Sequence, residues 1–336
     1  MRFGYREACL EHDTGSRHPE TADRLRAIRR GLKRRHGVEY RDGRLAERDA
    51  IEAVHDADYV ADIEAFMADG GGTWDADTVA VEETWEAALA SAGLASWAVD
   101  EAIGGADGRQ TPFAIGRPPG HHAEIDEAMG FCFFNNAAVA VQQALDAEDS
   151  GVDSAVIFDW DVHHGNGTQD IFYDSDDVFY ASIHERGLFP GTGDVLETGG
   201  PDARNTILNV PLPGGSGDAE YRAVMEQLLR PALDRFEPDL FVVSAGFDAH
   251  KHDPISRMRV TTEGYGYLTA TVRDIAADHD APLAFVLEGG YGLDPLADSV
   301  GIVHEIFDGR EPMEPGGDVR SKSKRVINDV RDAHDL

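Results

Sequence analysis

The stretch 155–168, A-V-I-F-D-W-D-V-H-H-G-N-G-T, constrains the fold more than any other, because an apolar run ends there in a cluster of ionisable side chains. Short apolar runs rich in β-branched and aromatic residues predict a buried strand. A glycine-bounded turn follows, and a helical pattern resumes at Gln169. In an open α/β sheet, ligands bind at the carboxyl ends of the strands. We therefore expect a ligand site where this strand ends.

Asp161 and His163 lie two positions apart in this cluster, so on an extended chain their side chains point to the same side. A carboxylate oxygen with an imidazole nitrogen forms half of a metal site, and this mixture suits zinc or iron(II) better than magnesium or calcium. The structural alternative is a helix-capping acid beside hydrogen-bonded core histidines. Two further ionisable side chains, Asp159 and His164, lie in the same short segment and favour the metal site.

A second polar segment follows a short strand that begins at Pro112, and its sequence is R-P-P-G-H-H-A. Consecutive histidines on a helix point about 100° apart and seldom share one metal. In a loop constrained by prolines and glycine, His121 and His122 can instead line one cavity with different partners. The next segment, G-F-C-F-F-N-N, is aromatic enough for a pocket wall, although core packing explains aromatic residues equally simply.

Further strands are predicted at 178–183, 206–210, 239–245 and 283–287, with helical stretches or loops between them. Strands that alternate with helices imply a parallel sheet covered on both faces. The strand at 239–245 runs into G-F-D-A-H-K-H-D-P, and the strand at 283–287 runs into E-G-G-Y, where two glycines expose Glu288 and Tyr291. Because the carboxyl ends of parallel strands share one edge, these polar clusters are expected to meet there.

The first hundred residues are predicted to be mostly helical, with helices at 20–35, 57–67 and 79–103 and a break at the glycines 70–72. We interpret His12 and His18, which flank a loop, as structural. Asp75 and Asp77 follow the glycines and cap the next helix or form the rim of a pocket; the sequence alone favours capping.

The charge balance is the unusual bulk property: 63 acidic residues against 30 basic residues give a formal net charge of −33. Such self-repulsion destabilises a fold at low salt and is tolerated in concentrated salt, where the Debye length falls to about 3 Å at 1 M. The scattered acids indicate a halophilic protein; an ordinary acidic cytoplasmic protein is the alternative. The negative electrostatic field of such a surface argues against binding to the phosphates of a nucleic acid.

Two cysteines, Cys9 and Cys132, are too few for a disulfide framework, which fits a reducing cytoplasm. No apolar run approaches the roughly 18 residues of a membrane span, and nothing resembles a signal peptide. We therefore expect a cytoplasmic protein without a membrane partner.

A catalytic zinc usually takes three protein ligands plus water. The third ligand should come from another strand end, and the candidates are Asp253, Asp248 and His252. Such a metal lowers the pKa of water toward about 7 and polarises a carbonyl. A histidine must accept the proton of the water and a donor must face the oxyanion, roles that His122 and Tyr291 fit. This chemistry predicts metal-assisted hydrolysis of an amide or similar bond.

The ordered motifs resemble the zinc-dependent histone deacetylase family, which includes acetylpolyamine amidohydrolases and acetoin-utilisation proteins. The motifs are R-P-P-G-H-H-A, G-F-C-F-F-N-N, D-W-D-V-H-H-G-N-G-T, F-P-G-T-G, S-A-G-F-D-A-H-K-H-D-P and E-G-G-Y. The resemblance is closest to the class II branch and implies an arginase-like three-layer α/β/α fold with a mostly parallel central sheet. It implies one catalytic domain at 1–309, followed by a polar C-terminal extension at 310–336.

Carried over residue by residue, the resemblance implies one zinc ion per chain and a second site for a monovalent cation such as potassium. The implied zinc ligands are Asp161, His163 and Asp253. The implied catalytic residues are His122 as general base and then acid, His121 as its charged neighbour, Asp159 bonded to His121, Asn166 beside His122, and Tyr291 as the carbonyl-polarising hydroxyl. The implied substrate contacts are Gly130, Phe131 and Phe189, with Asp75 at the rim; the implied monovalent-cation ligands are Asp159 and Ser182.

The resemblance implies removal of acetyl or other acyl groups from lysine side chains of proteins. An acetylpolyamine or other small acetylated amine is the alternative substrate. Polyamine-selective relatives place a glutamate at the pocket gate, and Val260 aligns there, which favours acyl-lysine. A non-catalytic acyl-lysine binder is the alternative from another class, although the intact ligand set and Tyr291 speak against it.

Overall fold

The structure, a computed structural model, describes residues 1–336. Ten strands are present, and eight of them form one sheet. The strands are β1 Arg2–Gly4, β2 Glu39–Arg41, β3 Gly72–Thr73, β4 Val79–Ala80, β5 Pro112–Ala114, β6 Ala155–Asp159, β7 Val178–Glu185, β8 Ile207–Leu212, β9 Leu240–Ala245 and β10 Leu283–Leu287.

The large sheet has the strand order β2-β1-β5-β10-β9-β6-β7-β8, and every pairing in it is parallel. Its central strands are buried along their whole length, because helices cover both faces. The predicted three-layer α/β/α fold of the arginase and deacetylase type is confirmed.

Twelve α-helices surround the sheet. They are α1 Ala8–Glu11, α2 Asp23–Leu32, α3 Arg48–Glu52, α4 Ala57–Ala68, α5 Thr84–Ile103, α6 Asn136–Asp146, α7 Asn166–Phe172, α8 Asp218–Val224, α9 Arg230–Phe236, α10 Thr262–Asp278, α11 Leu293–Phe307 and α12 Ser321–Ala333. A π-helical turn, Met225–Leu229, joins α8 to α9. None of the helices combines the length and apolar character needed to cross a lipid bilayer.

The register of the central strands places their polar ends side by side. Asp159 at the end of β6 pairs with Ser244 of β9 and with Ser182 of β7. Leu287 at the end of β10 pairs with Ala245 at the end of β9. Because all of these strands run in one direction, the segments that follow them emerge at one edge of the sheet. The expected meeting of the polar clusters is therefore present.

Two regions contain elements that the sequence analysis did not predict. The strands β1 to β4 lie in the first hundred residues, which we predicted to be mostly helical, and β4 falls within the predicted helix at 79–103. These strands are two or three residues long, so they are too short to show an alternating pattern. The segment 310–336, predicted as a polar extension, contains α12, and Val326, Ile327 and Val330 on one face of that helix are buried in the core.

Candidate metal and catalytic site

Asp161, His163 and Asp248 form a buried cluster beyond the ends of β6 and β9. One potential ligand atom from each residue lies within 4.8 Å of the others. The Nδ1 atom of His163 is 3.0 Å from Oδ1 of Asp161 and 3.3 Å from Oδ2 of Asp248. The two sequence-predicted ligands Asp161 and His163 are thus brought together, and the third member is Asp248.

Burial, and then the nearby negative charge of Asp161, raises the pKa of Asp253, so the predicted third ligand lies close to this cluster and remains a prediction. One oxygen of its carboxylate accepts hydrogen bonds from the backbone N–H groups of Tyr291 (2.7 Å) and Gly292 (2.9 Å), and the other accepts from Ile255 (3.1 Å). Asp253 therefore holds the loop that carries Tyr291. Asp248 is three positions beyond the end of β9, and Asp253 is eight positions beyond it.

Glycines make room for the Asp161 carboxylate. The N–H of Gly289 donates to Oδ2 of Asp161 at 2.8 Å. A Cβ atom at Gly246 would lie 2.0 Å from the same oxygen, and one at Gly289 would lie 2.5 Å from it. The segments after β9 and β10 can pack against this carboxylate only because both positions are glycine.

The donor set fits a divalent metal. The Oδ2 atom of Asp248 is buried without a hydrogen-bond partner, while its Oδ1 accepts from the N–H of Val162 at 2.8 Å. Burial opposes a charge on His163, but Asp161 and Asp248 outweigh burial and raise the pKa of His163 to about 10. The two carboxylates thus favour positive charge at this point, and one imidazole with two carboxylates is a donor set that zinc accepts.

The tandem histidines lie beside this cluster with separate partners, as predicted. The Nδ1–H of His121 donates to Asp159 at 2.9 Å, and the Nδ1–H of His122 donates to Oδ1 of Asn166 at 2.7 Å. The ring of His122 is 5.7 Å from the ring of His163. In each histidine the bond at Nδ1 leaves Nε2 for other partners.

The two histidines have opposite protonation preferences. Burial disfavours the charged form of both, but Asp159 and Asp161 raise the pKa of His121 to about 10. Burial and then the positive charges of His121 and His163 lower the pKa of His122 well below its ordinary value. One histidine therefore carries charge and its neighbour is neutral.

Glu288 is a buried residue of the site that we listed from the sequence only as an exposed strand-end acid. Its Oε2 atom accepts from the backbone N–H groups of Gly120 (2.8 Å) and His121 (3.2 Å). Burial raises its pKa to about 7. The carboxylate fixes the histidine loop to the end of β10. The motif E-G-G-Y marked the position, but only the fold shows what the side chain contacts.

Tyr291 lies on the loop that Asp253 holds. Its ring centroid is 5.9 Å from that of Phe131, in an edge-on arrangement, and 5.0 Å from the guanidinium of Arg24. Burial raises the pKa of Tyr291 well above its ordinary value, so the hydroxyl remains protonated and able to donate.

Phe189 and Phe131, predicted as channel walls, each lie beside a predicted catalytic residue. The Phe189 ring is 5.1 Å from the His122 ring and is 43% exposed, so this aromatic wall is open to solvent. Phe131 has φ +72°, a backbone conformation that is strained for a bulky residue, and its N–H donates to Oγ1 of Thr78. Gly130 has φ +56°, and a Cβ there would lie 2.4 Å from the His122 ring.

A recess of about 630 Å³ adjoins Phe131. It is lined by Asp77 and His18, whereas the predicted rim residue Asp75 is not among its lining residues. Instead, Oδ1 of Asp75 accepts from the N–H groups of Asp77 and Thr78 and closes a local turn. His18, interpreted as structural from the sequence, packs edge-on against Phe131 with ring centroids 4.6 Å apart. The recess is lined by Thr14, Gly15, Ser16, Arg17, His18, Pro19, Asp77 and Phe131.

The predicted monovalent-cation ligands Asp159 and Ser182 are neighbours on β6 and β7. The carboxylate of Asp159 accepts hydrogen bonds from His121, from the hydroxyl of Tyr180 (3.2 Å) and from the N–H of Asp161 (3.0 Å). The hydroxyl of Ser182 lies 2.9 Å from Nδ1 of His184.

Val260, the position aligned with a gate residue, is fully buried, and its N–H donates to the carbonyl of Ala249. The residue lies in the core and not at an opening.

The fold and the site define an α/β protein with a buried candidate metal-binding cluster, a histidine pair and a tyrosine at the carboxyl edge of a parallel sheet. Residues 18–307 match the histone deacetylase domain. The chain is 39% identical over 317 residues to "Histone deacetylase 10, chloroplastic" of Oryza sativa, covering 88% of this chain and 71% of that protein. It is 42% identical over 278 residues to "Histone deacetylase-like amidohydrolase" of Pseudomonas aeruginosa, covering 81% of this chain and 71% of that protein.

An archaeal relative and a solved structure agree with these matches. The "Probable deacetylase" of Methanothermobacter thermautotrophicus is 40% identical over 307 residues, covering 89% of this chain and 90% of that protein. The structural match to the crystal structure of the HDA15 HD domain covers 99% of this chain and 96% of the HDA15 chain. The TM-score is 0.90 and the sequence identity is 33%. The chain belongs to the histone deacetylase family, as its motifs predicted.

Proposed function

We propose that this protein is a zinc-dependent amidohydrolase that removes acetyl or other acyl groups from lysine side chains of proteins and releases acetate from acetyl-lysine. One observation carries the proposal. The cluster of Asp161, His163 and Asp248 faces His122 at the carboxyl edge of the sheet, between two aromatic walls. Family membership supports hydrolase activity, since named relatives include deacetylases and an amidohydrolase.

In this proposal Asp161 and His163 hold one zinc ion per chain together with Asp248, which the unpartnered Oδ2 of Asp248 supports. Asp253, the third ligand that the family resemblance implies, is the alternative. Bound zinc would polarise the amide carbonyl and lower the pKa of water. Asp253 is proposed as a positioning residue, because its carboxylate holds the backbone of Tyr291 and Gly292.

Two histidines divide the proton transfers. His122 donates its Nδ1–H to Asn166, so its Nε2 accepts a proton from the attacking water and later gives it to the leaving amine. His121, charged and bonded to Asp159, stabilises the negative charge that develops during attack.

The tyrosine completes the proposed mechanism by donating to the carbonyl oxygen. The hydroxyl of Tyr291 stays protonated because it is buried, and hydrogen-bond donors aimed at a developing oxyanion are among the strongest contributions to catalysis.

The aromatic residues Phe131 and Phe189 and the recess beside Phe131 support the proposal that the substrate carries an extended acylated side chain. Phe131 and Phe189 flank the approach to His122, and Gly130 supplies backbone beside them. The recess next to Phe131 has room for the groups that flank an acyl-lysine, and we propose Asp77, rather than Asp75, as the carboxylate that contacts substrate there. The same carboxylate can pair with a cationic amine, which favours an acetylpolyamine as the second candidate substrate.

A substrate comparison tests the proposal. The zinc-loaded protein in concentrated potassium chloride is given an acetyl-lysine peptide or acetylspermidine, and kcat/KM is measured from the acetate released. We expect a higher value for the peptide and loss of activity in His122→Ala. A higher value for acetylspermidine supports the second candidate. Binding of the peptide without acetate release by the wild type supports a non-catalytic binder.

Three further attributes belong to the proposal. Potassium is proposed beside Asp159 and Ser182, which are adjacent on neighbouring strands. Adaptation to high salt is proposed from the net charge of −33. A reducing compartment such as the cytoplasm is proposed because both cysteines are free and buried.

A further inference from the structure

Three fully buried ionic side chains, Glu20, Arg24 and Arg117, form a cluster behind the catalytic loops. Oε1 of Glu20 accepts from Nε of Arg117 at 2.6 Å and from Nη1 of Arg24 at 3.1 Å. Oε2 of Glu20 accepts from Nη2 of Arg117 at 2.6 Å. One carboxylate thus holds two guanidinium groups, and we call these residues the buried ion cluster.

One arginine of the buried ion cluster binds the tyrosine loop. Arg24 donates from Nε to the carbonyl of Gly290 at 2.7 Å and from Nη2 to the carbonyl of Glu288. Its guanidinium lies 5.0 Å from the centroid of the Tyr291 ring. Arg24 therefore contacts the backbone on both sides of Gly289 and the ring itself.

The other arginine lies at the start of the histidine loop. Arg117 precedes Pro118, and four and five positions later come His121 and His122. The carboxylate of Glu288 joins the two loops directly, because it accepts from the N–H groups at the tip of the histidine loop. The contacts thus form a closed ring from Arg117 through Glu20 and Arg24 to Glu288 and back to the histidine loop.

The opposite charges of Glu20 and the two arginines stabilise this ring of contacts. Burial would raise the pKa of Glu20, but Arg117 and Arg24 hold it well below its ordinary value, so the carboxylate remains ionised. A guanidinium with a carboxylate in a two-bond contact is held in orientation as well as in distance. Replacing Glu20 leaves two buried cations without their counterion, and both loops lose their common anchor.

We propose that Glu20 is a positioning residue that fixes the Tyr291 hydroxyl relative to His122 by holding Arg24 and Arg117 together. The inference rests on the proposed hydrolase function, because it concerns the geometry of that reaction. Displacements of about 1 Å at an active site can cost on the order of 10²-fold in rate.

A double-mutant cycle on the zinc-loaded full chain tests the inference. Values of kcat and KM for an acetyl-lysine peptide are measured for the wild type, Glu20→Gln, Tyr291→Phe and the double variant. We expect Glu20→Gln to lower kcat by about 10²-fold and to change KM by less than about twofold. In the Tyr291→Phe background, the same substitution should lower kcat by less than about threefold, because the hydroxyl that it positions is absent.

The matched control is Glu220→Gln, since Glu220 is also a buried glutamate with an arginine partner, Arg320, at 2.9 Å, and lies outside the site. It should leave kcat unchanged. Thermal unfolding and zinc content are compared for every variant. If Glu20→Gln does not fold, Arg117→Lys enters the same cycle, because it keeps the charge and removes the two-bond contact.

Equal losses of kcat from Glu20→Gln in both backgrounds would overturn the positioning role and leave the hydrolase function standing. A wild-type protein that releases no acetate contradicts the proposed function itself. The two failures are therefore distinguishable.

Discussion

The choice between Asp248 and Asp253 as third ligand makes a prediction in which the two variants behave oppositely. Asp248→Asn keeps an oxygen for the N–H of Val162 and removes the carboxylate oxygen that faces His163. Asp253→Asn keeps an oxygen for the N–H groups of Tyr291 and Gly292, and the cluster with Asp161 remains complete. Only the first substitution should therefore abolish zinc binding.

The expected size of the effect follows from linkage. Zinc at 100 times its Kd stabilises the folded chain by about 2.7 kcal/mol. An unfolding entropy of about 2.1 cal/mol/K per residue gives roughly 0.7 kcal/mol/K for the 336 residues. The midpoint of thermal unfolding should rise by about 4 °C on adding zinc to the wild type and to Asp253→Asn. In Asp248→Asn it should rise by less than about 1 °C.

Differential scanning calorimetry of chelator-treated protein, with and without zinc, measures these shifts. Zinc content after gel filtration provides the second readout. A full zinc-dependent shift in Asp248→Asn together with its loss in Asp253→Asn would refute the ligand assignment and restore the one made from the sequence.

Three further outcomes are expected. Tyr291→Phe should lower kcat for an acetyl-lysine peptide by about 10²–10³-fold at unchanged zinc content, because an oxyanion donor is lost; steady-state kinetics measure it. Raising potassium chloride from 0.1 to 3 M should raise the unfolding midpoint, since salt screens the net charge of −33, and a falling midpoint would contradict the halophilic assignment. Burial lowers the pKa of His55 from 6.5 to about 4, so stability should fall as the pH drops from about 6.5 toward 4, when the unfolded state takes up the proton. His55→Gln should reduce that loss by about 2–3 kcal/mol in urea unfolding at pH 7.5 and 4.5; an equal loss in wild type and variant argues against a neutral buried histidine.

The sequence predicted the sheet and its functional edge because apolar runs and the polar residues after them are local signals. The predicted strand at 283–287 matches β10, and the strand at 178–183 lies within β7. The histidine pair with separate partners, Asp159 and Asn166, also agrees with the predicted arrangement.

The parts that the sequence did not predict depend on contacts between distant segments. Asp248 and Asp253 follow the same strand. The sequence does not show that the carboxylate of Asp253 accepts hydrogen bonds from the backbone of the Tyr291 loop. The role of Glu20 depends on partners at positions 24 and 117 and, through Arg24, on the loop at 288–291. The spacing of residues along the sequence does not show which distant residues are in contact.

A zinc titration of acetate release tests the central claim most directly. Chelator-treated protein in concentrated potassium chloride receives increasing zinc, and acetate released from an acetyl-lysine peptide is measured at each step. Activity should be absent without zinc and should reach its plateau at one zinc per chain. Acetate release that persists at full rate without metal, or no release at one zinc per chain, would contradict a hydrolase built on Asp161, His163 and Asp248.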